Sequence, residues 1–128
     1  MNDRLGAACD RDTEVENLAA ELTTAIYPIA LGHGMVGLWI QVELGLWRGL
    51  AETVKKWGRE RPRSATSDEL EIWRERFVVN LTESAFGIAV KYGIKGSRLD
   101  VELGLYRALR LVVGRHLLRR QVTKGRRS

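Results

Sequence analysis

The chain has 128 residues, of which 45% are hydrophobic, enough for one domain with its own core. A single cysteine, Cys9, excludes an intrachain disulfide framework, so a reducing or disulfide-independent setting is expected. Twenty-one Lys and Arg against 16 Asp and Glu give a formal charge of +5, which points to an acidic partner, either nucleic acid or an anionic membrane surface.

The chain opens Met-Asn-Asp-Arg, without the basic flank and apolar run of a secretory leader, and none is expected. Its first segment is acidic, with Asp3, Asp10, Asp12, Glu14, Glu16 and Glu21. Thr13 and Glu16 have capping-box spacing, which lets a hydroxyl and a carboxylate satisfy orphan amides, so a helix is expected to begin there. Val15, Leu18, Leu22, Ile26 and Ile29 give it one apolar stripe. Pro28 lies inside the stripe and is expected to kink or shorten the helix, because it lacks an N–H and crowds the preceding turn. Gly32-His33-Gly34 supplies a turn. A second helix is expected from about Met35 to Gly58, with Ile40, Leu44, Trp47, Ala51, Val54 and Trp57 on its core face.

A polar linker follows over 59–66, where Pro62 within Arg61-Pro62-Arg63-Ser64 prevents the helix from continuing. Thr66 and Glu69 repeat the capping-box spacing ahead of a third stripe, Leu70, Trp73, Phe77, Leu81, Ala85 and Ile88. Gly93 to Gly96 forms the second turn. Ser97 is a cap for a fourth helix with Leu99, Leu103, Tyr106, Leu109, Val113 and Leu117 in line. No segment reads as a strand. The expected fold is all-α, a four-helix bundle-like single domain over 1–128.

Shifting the sequence by 59 positions aligns Leu22–Arg61 with Leu81–Arg120 without a gap, and 15 of the 40 pairs are identical. Chance would give about two or three, so the bundle reads as a tandem duplication of a helix-turn-helix hairpin. Repeat 1 covers about 13–61 and repeat 2 about 67–120, with a basic tail at 121–128. Val-Glu-Leu-Gly-Leu occurs at 42–46 and again at 101–105, and Gly34 and Gly37 match Gly93 and Gly96.

Gly45 and Gly104 sit within helices, where glycine costs about 1 kcal/mol against alanine. Gly45 with Gly49, and Gly104 with Ala108, form small-xxx-small spacings that let backbones approach closely. The second and fourth helices are therefore expected to cross near a pseudo-twofold axis or to dock on a neighbouring subunit. Both also carry a second apolar stripe, Leu38, Val42, Leu46 and Gly49 in one and Val101, Leu105, Ala108 and Val112 in the other. Burial on more than one side suggests self-association, as a homo-oligomer or with a paralogous chain.

Leu22 to Val42 contains no charged residue and is long enough to span a bilayer. Pro28 and the glycines at 32, 34 and 37 interrupt it, and the equivalent stretch in repeat 2 holds Glu83, Lys91, Lys95, Arg98 and Asp100. A bilayer tolerates such charges poorly, so no transmembrane segment is expected.

No catalytic constellation emerges, and the chain reads as a non-enzyme. Arg110 and His116 fit the Arg-x(4–6)-His pattern of helical ribonucleases of the HEPN class, but the same spacing arises on any basic helix. Glu43 and Glu102 occupy one place in the two repeats; beside Arg48 and Arg107 they read as ion pairs or caps rather than paired acids. His33 and His116 lack partners at ligand spacing, so neither a metal nor another cofactor is expected. Trp39 and Trp57 could stack on bases, although core packing is the default for aromatics on apolar stripes.

The arginines are more informative. No acidic residue follows Glu102. The candidate nucleic-acid contacts are Arg48, Lys55, Lys56, Arg59, Arg61 and Arg63 in repeat 1, and Arg107, Arg115, Arg119, Arg120, Lys124, Arg126 and Arg127 in repeat 2. Basic groups gathered at equivalent helix ends are suited to a phosphate backbone, while a solvated cationic helix end that favours the macrodipole is the alternative.

In size, four-helix build, basic ends and apolar second faces, the chain resembles the small helical capsid proteins of filamentous archaeal viruses. That resemblance implies dimers wrapping double-stranded DNA in a helical nucleoprotein sheath, through phosphate contacts without sequence selectivity, and a virion setting rather than a cytoplasmic one. Tyr27-Pro28-Ile29-Ala30 also resembles a segment of the basic four-helix accessory proteins of diversity-generating retroelements, which implies a ring-forming RNA-binding adaptor.

Overall fold

The computed structural model describes residues 2–36, 39–60, 62 and 66–127, with side chains over 13–36, 40–60, 62 and 66–117. It contains four helices, α1 (Asn2–Gly32), α2 (Trp39–Arg59), α3 (Ser67–Lys91) and α4 (Arg98–Arg127), and no strand among the described residues. Each of α1 and α3 packs on both α2 and α4. The helices therefore stand at the corners of a square in chain order, α1 diagonal to α3 and α2 to α4. Short connections make successive helices antiparallel, so α1 and α3 run one way and α2 and α4 the other. The rotation that carries one hairpin onto the other is then a twofold lying along the bundle.

The two turns at one end carry this symmetry in their hydrogen bonds. After α1, Gly34 at φ 87° lets its N–H reach Leu31 O at 3.0 Å while Met35 N–H reaches Ala30 O at 3.2 Å. After α3, Gly93 at φ 81° places its own N–H 3.1 Å from Val90 O and that of Ile94 3.5 Å from Ala89 O. Both are Schellman closures, which need a left-handed residue that only glycine adopts without steric cost. The turns then bond each other: Val36 N–H donates to Tyr92 O at 2.8 Å and Lys95 N–H to His33 O at 2.6 Å. These are one bond written twice, since 36 and 33 become 95 and 92 on the repeat shift.

The core follows the same rule. Leu22, Ile26, Ala30, Val42, Leu46, Leu50 and Val54 are buried, and so are Leu81, Ala85, Ala89, Val101, Leu105, Leu109 and Val113 at the matching places. Thr23 and Thr82 are buried as a pair, each donating its hydroxyl 2.8 Å to the carbonyl four residues back, Ala19 and Val78. That bond is what makes a buried hydroxyl tolerable here.

Four expectations change. The helix α1 begins at Asn2, not at Thr13, which lies inside it and is exposed; no proline precedes Thr13 to stop a helix. Pro28 does not end α1, which continues to Gly32. Thr24, whose carbonyl loses its donor to that proline, is exposed, so water can take the donor's place. The second helix starts at Trp39 because Met35 and Val36 are committed to the turn. The largest change concerns which stripe is core. In α2 and α4 the second stripe, Val42 and Leu46 with Val101, Leu105 and Val112, is buried in this chain's own bundle. Of the expected core face, Ala51, Val54, Leu109 and Val113 are buried as expected, while Ile40, Leu44, Leu99 and Leu103 near the helix starts are exposed. Leu38 lies outside the described residues.

Glycine packing also differs from expectation. A Cβ added to Gly45 would lie 3.3 Å from the Tyr92 hydroxyl and 3.8 Å from Ile88 Cγ2, and one added to Gly104 would lie 3.3 Å from Ile29 Cγ2. A Cβ on Gly49 would overlap Ile88 Cδ1. Ala108, the counterpart of Gly49, is half-buried against the core. Gly45 and Gly104 are thus close-approach points of α2 on α3 and of α4 on α1, a symmetric pair, and not a crossing of α2 with α4. Diagonal helices cannot use them on each other.

Candidate nucleic-acid interface

On α2, Arg48, Lys55 and Arg59 are spaced at seven and four residues and so share one exposed stripe pointing away from the core, with Lys56 exposed beside it. None of these four joins an ion pair among the described residues, although Glu52 stands within helical reach of Arg48 and Lys56. Arg107 and Arg115 on α4, the counterparts of Arg48 and Lys56, are likewise exposed and outside those ion pairs. The symmetry stops there: the counterparts of Glu52 and Lys55 are Leu111 and Gly114.

Arg61 and Arg63 lie outside the described residues. The side chains of Arg119, Arg120, Lys124, Arg126 and Arg127 are likewise not described, but their backbone belongs to α4, which has 30 residues to the 21 of α2. At 1.5 Å per residue, α4 continues about 13 Å past the level where α2 stops. The sequence concealed what accompanies that extension. Because α1 packs antiparallel on α4, the acidic start of α1 runs along the same end of the bundle as the basic end of α4. Acidic and basic termini that are farthest apart in the chain are neighbours in the fold.

Other arginines are already engaged. Arg110 Nε lies 3.4 Å from Glu75 Oε1, whose other oxygen accepts the Tyr106 hydroxyl at 2.5 Å. That bond, then burial, then the carboxylate charge raise the Tyr106 phenol above its ordinary pKa. The related position in the first hairpin carries a related contact, Trp47 Nε1 to Glu16 O at 3.4 Å. Arg98 bonds Glu102 at 2.6 Å, which raises the guanidinium pKa further, and it lies 5.2 Å over the Phe86 ring. Arg74 Nη2 lies 3.5 Å from Glu71 Oε1.

The remaining candidates do not converge. Six residues turn a helix about 600°, which sets Arg110 and His116 about 120° apart around α4, and Arg110 is held by Glu75, so the ribonuclease-like pair does not share one face. Glu43 and Glu102 stand on diagonal helices; Glu102 takes Arg98 rather than Arg107, and Glu43 lines a shallow α1–α2 groove with Thr24, Ile40, Leu44 and Trp47. Trp57 packs against Phe77 at 6.4 Å between centroids, and Trp73 against the same ring at 5.5 Å, which occupies the Trp57 face that base stacking would use. The side chain of Trp39 is outside the described set. Among the described residues no helix is long and apolar enough to cross a membrane, and no cluster of three or more His, Cys, Asp or Glu could hold a metal ion.

No protein-family model, curated protein or solved structure matches the chain.

Proposed function

We propose that the chain self-associates and coats nucleic acid, double-stranded DNA first, through non-specific arginine–phosphate and lysine–phosphate contacts, as in the nucleocapsid of a filamentous virus. The observation that carries this reading is the outward stripe Arg48, Lys55 and Arg59, exposed and outside the ion pairs found among the described residues, while Arg74, Arg98 and Arg110 are held by carboxylates. Cations not locked to a carboxylate remain available to a polyanion, and a helix surface without a recognition motif suits backbone contact rather than base readout. The helical extension of α4 adds further cations at the same end of the bundle.

A salt titration of fluorescence anisotropy with a short DNA duplex tests this. Log affinity falls linearly with log salt, with a slope near −0.9 for each phosphate neutralised. Lys55→Gln together with Arg59→Gln then removes about two from the magnitude of the slope and weakens every duplex sequence alike. If neither duplex nor single-stranded polymer binds at low ionic strength, the proposal is wrong. Tight binding of RNA alone, with discrete rings in electron micrographs instead of filaments, would replace the coat by an RNA-binding adaptor.

A further inference from the structure

The two hairpins share a core, but their outer surfaces differ in part. On the outside of α3, Ile72, Val79 and Val90 are 55%, 44% and 51% exposed, and beside them Leu99 and Leu103 of α4 are 73% and 42% exposed. The corresponding residues of the first hairpin are Thr13, Ala20, Leu31, Ile40 and Leu44. Three positions are apolar in both copies, whereas at the other two the second hairpin has a large side chain where the first has a small or polar one. Single exposed apolar residues need no explanation, but a run of them along two adjacent helices does.

Charge says what covers this run. Arg76 and Glu83 are exposed on α3 at three residues before and four residues after Val79, so both border the same edge as Val79. Neither takes part in a direct ion pair among the described residues, although the Glu83 carboxylate acts at longer range on the Arg98 guanidinium of α4 and helps to raise its pKa. Their counterparts in the first hairpin, Asn17 and Thr24, are uncharged. A surface with one cation and one anion symmetrically placed about an apolar centre is complementary to itself. When two such helices meet antiparallel about a twofold through Val79 and Asn80, Arg76 of each lies opposite Glu83 of the other with the two Val79 side chains between the charged pairs, while Ile72 of each comes level with Gly87 of the other, where no side chain stands in its way.

We infer that the outer face of the α3–α4 hairpin is the docking surface for a second copy of this chain, joined by twofold pairing of α3 against α3. This specifies the self-association half of the proposed function and leaves the α2 stripe uncovered for the polyanion.

The test uses the full chain without nucleic acid, by sedimentation equilibrium. The wild type associates at least to dimers. Arg76→Glu sets like charges against each other twice per interface and weakens association about tenfold or more. The double variant Arg76→Glu with Glu83→Arg restores it, which a mere loss of folding or a general charge effect would not do. Ala20→Glu on the first hairpin leaves the dimer intact, while Val79→Glu at the equivalent place abolishes it. Circular dichroism confirms that each variant keeps the helical content of the wild type. A monomeric wild type, a double variant no better than the single one, or equal damage from Ala20→Glu and Val79→Glu overturns the assignment; the first of these would leave the face to a different protein. A chain that dimerises as described yet binds no polymer would keep this interface and sink only the coat.

Discussion

Tyr106 and its carboxylate show how a half-buried polar contact sets a local pH dependence. The Tyr106 hydroxyl donates to Glu75, and the bond exists only while the phenol keeps its proton. The folded-state pKa is raised above the ordinary value of 10.0. The contact therefore contributes fully below about pH 10, and its contribution is lost as the pH rises through the raised folded value. Tyr106→Phe removes the donor but leaves Arg110 to hold Glu75, so the loss is that of one charge-assisted bond discounted for partial exposure, about 1 kcal/mol. Urea denaturation of wild type and variant should show that difference constant from neutral pH to about pH 9 and narrowing above it. A difference that widened with alkali would mean that the phenolate, not the phenol, is the species Glu75 tolerates.

A helix in this bundle is held by which of its sides approaches a neighbour, and Gly104 marks the closest approach of α4 to α1. The Cβ of an alanine there would press on Ile29 Cγ2, the branch of a side chain that is only half-buried and can shift. Gly104→Ala is thus expected to change stability by no more than about 1 kcal/mol, the helix-propensity gain offsetting the crowding. Gly104→Leu drives a whole side chain between two backbones and should cost about 3 kcal/mol or more in the same denaturation measurement. The glycine pair was legible in the sequence as a close-approach signal because both copies retain it. Its partners were not, since spacing within a helix says nothing of which neighbour comes near. The same limit explains why, in the first turns of α2 and α4, the second stripe is buried and the expected one is not. Val42, Leu46, Ile40 and Leu44 are all apolar, so periodicity offers two stripes and cannot rank them. Thr53, with its hydroxyl 2.9 Å from that of Ser84, shows that the core side even accepts a hydroxyl, so polarity is no sharper a guide. The turn glycines, by contrast, were readable, because Gly34 and Gly93 are required by a positive φ that no packing alternative can supply, although the length of the first turn was not. Arg48, Lys55 and Arg59 were legible as cations but not as those outside the ion pairs of the described residues; pairing depends on acids such as Glu75 that arrive from another helix.

At the scale of the whole molecule, duplication has produced two halves that are no longer interchangeable. A twofold along the bundle brings residues 59 apart to the same layer, both facing the axis. In those layers Leu18 stands with Phe77, Ala19 with Val78 and Ile26 with Ala85, all buried. Where one copy is larger than the other at one layer it is smaller at another, so the combined volume is shared out between unlike partners. A homodimer of the first hairpin would place two isoleucines where the protein has Ile26 and Ala85, and two alanines where it has Ala19 and Val78. A homodimer of the second would crowd two phenylalanines into the layer of Phe77 and leave a void between two copies of Ala85. Interiors pack too densely to absorb such changes freely: overpacking costs about 1–3 kcal/mol per site, and an unfilled cavity a similar amount or more. The paired turn bonds, Val36 to Tyr92 and Lys95 to His33, use only backbone and would survive in either homodimer, so they do not discriminate. Core shape alone should therefore make the two hairpins prefer each other. Peptides covering 2–60 and 66–127, mixed at equal concentration, are expected to form a helical complex that melts above either peptide alone. The midpoint should rise with concentration, as it must for an association. If the mixture melts as the plain sum of its components, the two cores are not complementary, and the size differences between the copies are drift.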